Sequence, residues 1–289
     1  MRGWWWREMS GLVLPVACGG CRAPRTALCA RCTRELSGRA ARRVGPDPAP
    51  AGLPAVWACA EYADAVRAVL IAHKERGALG LARPLGVALA AAVRAALAQG
   101  GRGSGPVLLV PVPSSRRAVR ARGHDAGRRL ALAAAAELRR GGERARVLPV
   151  LRQCREVADQ AALTAPERVV NLSGALVARR GTAGLMAGAR TVVVDDLMTT
   201  GASLAEAARA LRAALGPGSR GAWGVGARGP GDGASGGGGA GWGGAAPGGA
   251  HGVRCGGREG APRGGPEARI SPPGAVLAAV VAVPPMSYR

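Results

Sequence analysis

The chain has 289 residues, which is enough for one sizeable hydrophobic core and a small additional module. Its formal net charge of +22 favours polyanionic partners, either phosphorylated metabolites or nucleic acid. Aromatic residues make up only 3% of the chain and Phe is absent, so Ala, Val and Leu must build the core. Because the chain lacks both an apolar run of about eighteen residues and a recognisable secretion signal, we expect no membrane span and a cytoplasmic location.

Two CxxC pairs lie near the N-terminus. Each pair can present two thiolates from one tight turn, and two such turns complete the tetrahedral shell of a structural zinc site. The alternatives are a redox CxxC motif or two disulfides, but seven cysteines without a secretion signal favour a metal. We therefore predict that residues 1–38 form a zinc-ribbon-like module. Its predicted Zn²⁺ ligands are Cys18, Cys21, Cys29 and Cys32.

Residues 39–55 are rich in Arg, Ala and Pro and are predicted to be a linker. From residue 56 to residue 216, short apolar runs alternate with helical patterns, which is typical of an α/β domain with a parallel sheet. The predicted elements are strands at Val56–Ala60, Val107–Val110, Val147–Leu151 and Thr191–Val194, and helices at Tyr62–Ala72, Leu81–Gln99, Asp125–Arg140 and Leu204–Leu215.

Residues 217–273 differ in composition from the rest of the chain. These 57 residues hold 22 of the 47 glycines and show little apolar periodicity. Such a segment buries too little apolar surface to offset its ordering entropy, so a disordered insertion is predicted. A glycine-rich arm that binds nucleic acid, or out-of-frame coding, is the alternative. The run Ala275–Val283 then predicts a final strand, within residues 274–289, that completes an edge of the sheet.

The stretch from Thr191 to Ser203 carries the clearest functional signal. An apolar strand ends in Asp195 and Asp196, at the position where open α/β sheets bind ligands. Ionised carboxylates only accept hydrogen bonds, which suits a polyol such as ribose. The Thr/Gly turn and the first turn of the next helix direct backbone amides at one spot, which makes an anion site. An ordinary capped strand–turn–helix is the alternative, but it does not need two Asp residues. The pattern therefore indicates a ribose 5-phosphate pocket.

This stretch resembles the phosphoribosyl pyrophosphate (PRPP) signature of the type I phosphoribosyltransferases. The resemblance implies that the acidic pair holds the ribose 2- and 3-hydroxyls and that the turn wraps the 5-phosphate. The PRPP-binding residues that it implies are Asp195, Asp196, Met198, Thr199, Thr200, Gly201, Ala202 and Ser203.

Five motifs in order extend the resemblance to the competence protein F (ComF) family, over roughly Gly11 to Leu215. The motifs are the paired CxxC, Tyr62…Lys74-x-Arg76-Gly77, Pro111-Val112-Pro113…Arg122-Gly123, Arg155…Gln160…Arg168…Asn171-Leu172-x-Gly174 and Asp195-Asp196…Thr199-Thr200-Gly201. Members of this family join a zinc module to a transferase domain. The resemblance implies an α/β parallel-sheet type I phosphoribosyltransferase fold, preceded by a small zinc module with four cysteine ligands.

The same resemblance implies two further sets of site residues and a second metal. In the type I fold the loop after the second core strand contacts pyrophosphate, and here that loop offers Pro113, Ser114, Arg122 and Gly123. A hood loop that closes over PRPP corresponds to Arg155, Gln160, Arg168 and Asn171. Mg²⁺ is expected to bind together with PRPP and to help pyrophosphate leave.

Two functions follow from these observations. The first is transfer of a phosphoribosyl group from PRPP to an acceptor that the sequence does not identify. The alternative is a competence factor that binds single-stranded DNA during DNA uptake, together with other competence proteins, and has little or no turnover. Single strands usually bind on aromatic stacking platforms, and the basic loop contains no aromatic residue. Release of pyrophosphate from PRPP across a panel of amines and bases would separate the two functions.

Overall fold

A six-stranded sheet lies at the centre of the structure, a computed structural model that describes residues 17–100, 103–157, 164–216 and 276–285. The strands are β1 (Arg42–Val44), β2 (Val56–Glu61), β3 (Val107–Pro111), β4 (Ala145–Val147), β5 (Leu151–Gln153), β6 (Leu176–Ala178), β7 (Arg190–Leu197) and β8 (Leu277–Val283). The central sheet has the order β1-β2-β8-β7-β3-β4, and β5 and β6 form a separate antiparallel pair. All neighbours in the central sheet are parallel except β1 and β2. The predicted α/β class with a mostly parallel sheet is thus confirmed.

Helices connect the strands and cover both faces of the sheet. They are α1 (Ala30–Ser37), α2 (Asp64–Glu75), α3 (Ala82–Gln99), α4 (Arg116–Arg122), α5 (Ala126–Arg140), α6 (Ala165–Leu172), α7 (Thr182–Met186) and α8 (Ala202–Leu215). Parallel strands need such crossover connections, because a tight hairpin can join only antiparallel strands. A 3₁₀ turn at Leu79–Leu81 leads into α3.

Side chains that alternate along each strand divide the interior into two cores. On β3, Val107 and Leu109 pack into a first core with α2, α3 and α5. Leu108 and Val110 point the other way, into a second core with α8 and the β5–β6 pair. Small residues let the helices of the first core approach closely, since a Cβ added at Gly86 on α3 would lie 2.6 Å from the Cβ of Ala133 on α5.

The N-terminal segment packs directly onto the sheet domain. Leu36 of α1 is fully buried and belongs to the first core, and α1 packs against α2 and α3. The stretch 39–55, which the sequence predicts as a linker, contains β1, whose three residues pair with β2. The cysteine-containing segment is therefore continuous with the main core.

Two strand predictions are wrong in detail. The single strand predicted at 147–151 is split, because β4 ends at Val147 and β5 begins at Leu151 in the other sheet. Pro149 lies in the break, and a proline cannot donate to a strand ladder. The final strand, β8, is interior rather than at an edge, since it lies between β2 and β7. All seven of its residues are buried, so its purely apolar sequence reflects burial on both faces.

One helical segment, Leu79–Gln99, is long and apolar enough to cross a membrane by composition. In the structure it lies within the first core, where Leu85, Leu89 and Val93 are fully buried. Its apolar surface is thus used in packing against the sheet and α5. The glycine-rich segment 217–273 lies outside the described residues.

Removing β8 should abolish folding. A chain that ends at Gly216 lacks the strand that pairs with both β2 and β7, so the sheet loses its continuity and both cores are exposed. We expect no cooperative thermal transition by circular dichroism. The matched control deletes residues 217–273 and joins Gly216 to Gly274; it should melt cooperatively, because loop entropy changes slowly with length. A cooperative melt of the chain that ends at Gly216 would contradict this account.

Candidate functional site

The carboxyl ends of β3 and β7 face a crevice between two diverging helices. These strands are neighbours in the sheet. The helix that follows the β3 loop, α5, packs in the first core, whereas α8, which follows β7, packs in the second. Helices that leave adjacent parallel strands toward opposite faces open a crevice at the strand ends, and ligands of open α/β sheets bind there.

A cleft of about 880 Å³ occupies this position. Its volume lies within the usual range for a site that takes a small molecule. Among the predicted PRPP-binding, pyrophosphate-loop and hood-loop residues, those that line it are Pro113, Ser114, Arg122, Asp195, Asp196, Thr199 and Ser203. The structure thus brings the acidic pair, the end of the Thr/Gly turn and the basic loop to one cavity.

Other residues of the implied PRPP signature lie in the turn but outside the lining of the cleft. Met198 is only 2% exposed and packs in the second core. Gly201 has φ +74 and begins α8, and a Cβ there would lie 3.1 Å from two carbons of Leu53. Thr200 accepts a hydrogen bond from the backbone N–H of Ala202 at 3.4 Å. These four residues, Met198, Thr200, Gly201 and Ala202, do not line the cleft.

The acidic pair is held by its own backbone and by a lysine from α2. The backbone N–H of Asp196 donates to Oδ1 of Asp195 at 2.8 Å. Lys74 Nζ lies 2.8 Å from Oδ2 and 3.1 Å from Oδ1 of Asp196. The Asp196 side chain is only 13% exposed. One carboxylate of the pair is therefore ion-paired across the mouth of the cleft.

The two carboxyl groups of the pair differ in acidity, because burial, mutual repulsion and Lys74 act on them unequally. Burial, followed by the charge of Asp196, raises the pKa of Asp195 well above its ordinary value. Burial also acts to raise the pKa of Asp196, but the charge and hydrogen bonds of Lys74 outweigh it and lower that pKa. The pKa of Lys74 is raised, because its two aspartate neighbours outweigh its own burial. Asp196 is thus the more acidic member of the pair.

The basic loop contains a short helix. Residues 116–122 form α4, with Ser115 as N-cap, whose hydroxyl accepts from the N–H of Ala118 at 3.1 Å. Gly123 ends the helix in the left-handed region, at φ +73, and does not line the cleft. The guanidinium of Arg122 donates to the Ala118 carbonyl at 3.0 Å and to Oε1 of Glu75 at 3.2 Å. Arg122 is therefore fixed in place by two contacts.

The predicted hood loop is in part a helix, α6, whose C-terminus is held by an arginine. Arg155 donates to the carbonyls of Asn171 and Ser173 at 2.8 and 2.9 Å. Cations are favourable at this end of a helix. Arg168 reaches the hydroxyl of Thr199 at 3.5 Å, so α6 approaches the Thr/Gly turn. Gln160 lies outside the described residues.

A buried carboxylate on α8 connects this helix to β6. Glu206 on α8 is 6% exposed and accepts from the N–H of Leu176, at the start of β6, at 2.9 Å. Arg209 donates to both oxygens of Glu206 and to the Leu176 carbonyl. Since buried carboxylates need such partners, this network fixes β6 against α8. The sequence pattern did not indicate this link.

Several polar or charged residues that line the cleft are not among the predicted site residues. Glu75 lines the cleft beside Lys74, Arg117 is exposed on α4, and Gln153 lies at the end of β5. Glu75 and Lys74 end an amphipathic helix, where charged residues usually point into solvent. Only the contacts of Lys74 with Asp196 and of Glu75 with Arg122 reveal that they face a site.

The four N-terminal cysteines form a second candidate site. Their sulfur atoms all lie within 4.8 Å of one another, and Cys21 and Cys29 are 3.6 Å apart. An ion bound tetrahedrally by thiolates needs sulfur separations of roughly 3.8 Å. A Cβ at Gly20 would lie 2.7 Å from Sγ of Cys32, so only glycine fits there. The cluster could hold a structural metal such as zinc.

Hydrogen bonds favour the thiolate form of one of these cysteines. The backbone N–H of Cys29 donates to Sγ of Cys18 at 3.3 Å. Burial acts to raise the pKa of Cys18, but backbone hydrogen bonds, led by that from Cys29, lower it to about 6. A thiolate is the form that binds metal. The same cluster raises the pKa of Cys32, through burial and the other cysteines.

Two histidines lie behind the basic loop. Nδ1 of His124 is 3.0 Å from the Arg122 carbonyl, and its Nε2 is 3.3 Å from the His73 carbonyl. The two rings meet edge to face with centroids 6.4 Å apart. Nε2 of His73 is buried without a hydrogen-bond partner in the described part of the chain. Burial, followed by the charge of His124, lowers the pKa of His73 to about 4.

Comparisons with known proteins do not identify a family. A scan against protein-family models gives no match, and a search of curated proteins gives none either. The function therefore has to come from the residues of the cleft and of the cysteine cluster.

His73 should make the fold sensitive to mild acid. Its pKa is about 4 in the folded chain and about 6.5 when unfolded, so its contribution is complete above pH 6.5 and is lost as the pH falls toward 4. For this side chain, 2% exposed, the loss is about 3 kcal/mol. The groups that face it are His124, Arg129, Lys74 and Asp196.

In the His73→Leu variant, the free energy of unfolding should fall less between pH 7 and pH 4 than in the wild type. Denaturant titrations at several pH values measure the difference. Other ionisable groups contribute to both proteins and cancel in the comparison. Identical pH dependence in the two proteins would show that His73 does not titrate as described.

Proposed function

We propose that the cleft binds PRPP together with Mg²⁺, and that the chain is a ComF-type phosphoribosyltransferase or a close relative of one. One observation carries the proposal. The acidic pair, the Thr199–Ser203 turn and the basic loop at Pro113–Arg122 converge on one cleft at the point where the sheet topology reverses. These three parts match the ribose, the 5-phosphate and the pyrophosphate of PRPP in chemistry.

The acidic wall suits the ribose ring. Asp196 is the more acidic carboxylate and can accept hydrogen bonds from the 2- and 3-hydroxyls, and Asp195 lies beside it with a higher pKa. The turn that follows begins α8 at Gly201, and its backbone amides with the hydroxyls of Thr199 and Ser203 suit the 5-phosphate. Along the chain, the carboxylates that suit the ribose are therefore followed directly by the turn that suits its 5-phosphate.

The basic wall suits the pyrophosphate. Arg122 is held in place by Glu75, and Arg117 on α4 is exposed beside it at the cleft. A guanidinium can bind phosphate oxygens in a bidentate way. Mg²⁺ that arrives with PRPP would neutralise charge on the leaving pyrophosphate. A nucleophile that enters from the Gln153 and Val157 side would form the new bond at C1 of ribose as the bond to pyrophosphate breaks.

The alternative, binding of single-stranded DNA, has less support from the described residues. The described part of the chain contains two aromatic side chains of the kind that stack on bases. Trp57 is 6% exposed, and Tyr62 packs against the first core. Neither lines the cleft, whereas the chemistry of the acidic pair, the turn and the basic loop suits PRPP.

The cysteine cluster completes the proposal, with Zn²⁺ as its metal. Within the described residues the cluster consists of four thiol groups and no carboxylate, a closed ligand set that is typical of a structural zinc site. Its role is to fix the loops around Cys18 and Cys29 so that α1 can place Leu36 in the first core.

Replacing both carboxylates should weaken PRPP binding. The variant Asp195→Asn with Asp196→Asn keeps the size of the side chains but removes the charged acceptors that face the ribose. Each charge-assisted hydrogen bond contributes roughly 1.5–3 kcal/mol, so the affinity for Mg-PRPP should fall at least tenfold. Calorimetry measures the change, with Glu35→Gln on α1 as a remote control. Unchanged affinity in a folded double variant would refute the proposal.

Metal analysis should find one zinc ion per chain. Changing Cys18 and Cys29 to Ser should remove it, whereas Cys154→Ser, an exposed cysteine outside the cluster, should not. Loss of the ion should lower the thermal midpoint of the first variant alone, since structural zinc contributes its binding energy to folding. A wild-type protein prepared under reducing conditions that holds no metal, with Cys21 readily alkylated, would contradict the assignment.

A further inference from the structure

Lys74 connects the acidic pair to a helix from a distant part of the chain. It lies in the last turn of α2, and its Nζ is within 3.1 Å of both oxygens of Asp196. The Lys74 side chain is 41% exposed, whereas that of Asp196 is 13% exposed. The carboxylate is thus enclosed while the ammonium keeps contact with solvent at the cleft.

The choice of lysine at this position is itself informative. All of the 40 basic side chains except Lys74 are arginines. The single lysine of the chain lies against a half-buried carboxylate in the cleft. Arginine would bind that carboxylate through a rigid bidentate contact, whereas the ammonium of lysine is a compact charge on a flexible side chain.

The residue that follows Lys74 makes a matching contact with the opposite wall. Glu75 accepts from Arg122 at 3.2 Å, so consecutive residues of α2 contact the acidic wall and the basic loop. The groups that face Lys74 are Asp195 and Asp196 from β7 and Arg122 from α4. His73 precedes it, and His124 lies behind the loop, against the His73 carbonyl. Among the groups that act most strongly on Lys74, the two carboxylates thus outnumber Arg122, the cation that opposes it.

Two adjacent half-buried carboxylates do not ionise equally, because each disfavours the charge of the other. An asymmetry in their surroundings therefore determines which of the two carboxyl groups becomes the anion. In this structure the ammonium forms its ion pair with Asp196, while Asp195 receives a backbone N–H. The geometry therefore breaks the symmetry of the pair.

We propose that Lys74 is the positioning residue of the acidic pair: its ammonium orients Asp196 and holds it as the anion that accepts from the ribose hydroxyls. The inference rests on the proposed function for the identity of the ligand. Its first half concerns only the two carboxylates and can be measured without any ligand.

The ligand-free test follows the carboxyl carbons of Asp195 and Asp196 by ¹³C NMR as the pH is changed. In Lys74→Gln, the first ionisation of the pair should move to higher pH than in the wild type. Lys74→Arg keeps the charge and should restore the wild-type order of ionisation. Arg76→Gln removes a positive charge two residues away and should leave the titration unchanged. If the two carboxyl groups of Lys74→Gln titrate as in the wild type, the proposal is overturned.

The second test measures the affinity for Mg-PRPP as a function of pH. Below the pH at which the acidic pair of Lys74→Gln first ionises in the NMR titration, this variant should bind roughly tenfold more weakly than the wild type, and the gap should narrow above that pH. Lys74→Arg should retain the wild-type pH profile. A gap that stays the same below and above that pH would show that Lys74 contacts the ligand without positioning Asp196, and would overturn the proposal. Should the wild type itself not bind Mg-PRPP, the proposed function fails, and the NMR titration still decides the role of Lys74.

Discussion

The opposite directions of the helices that leave β3 and β7 are the constraint on which the rest of the structure depends. Because α5 covers one face of the sheet and α8 the other, the ends of the two strands between them open onto the cleft. The loop after β3 carries arginines, and β7 ends in two aspartates. Basic and acidic walls therefore face each other across this cleft.

This constraint also explains why charged side chains at the site are paired with one another. A carboxylate at a strand end in a crevice loses much of its hydration and needs a partner. Lys74 supplies that partner to Asp196, and Glu75 supplies one to Arg122. The end of α2 thus stabilises both walls. A ligand with hydroxyls at one end and phosphates at the other offers the same partners in a different arrangement.

The sequence predicted the local features well where one short stretch carries the whole signal. The strand that ends at Asp195 and Asp196, the turn at Gly201 and the four-cysteine cluster depend on neighbours in the chain, so their patterns could be interpreted directly. The position of β8 could not be predicted in this way. Its apolar run indicates a buried strand, but pairing with β2 and β7 is a long-range choice that leaves no local pattern.

The contacts of the site residues were the least predictable part. The sequence indicated Arg122 and Arg155 as ligand-binding candidates, yet Arg155 holds the end of α6 and Arg122 pairs with Glu75. The role of Lys74 depends on a contact 122 residues along the chain. Composition marks that lysine as exceptional, but only the packing of α2 shows what it faces.

The most direct test of the central claim is a crystal structure of the wild-type protein with Mg-PRPP. We expect the ribose hydroxyls against Asp195 and Asp196, the 5-phosphate at the Thr199–Ser203 turn and the pyrophosphate beside Arg117 and Arg122. PRPP bound elsewhere, or phosphate groups at the turn with the ribose directed away from the acidic pair, would contradict the claim.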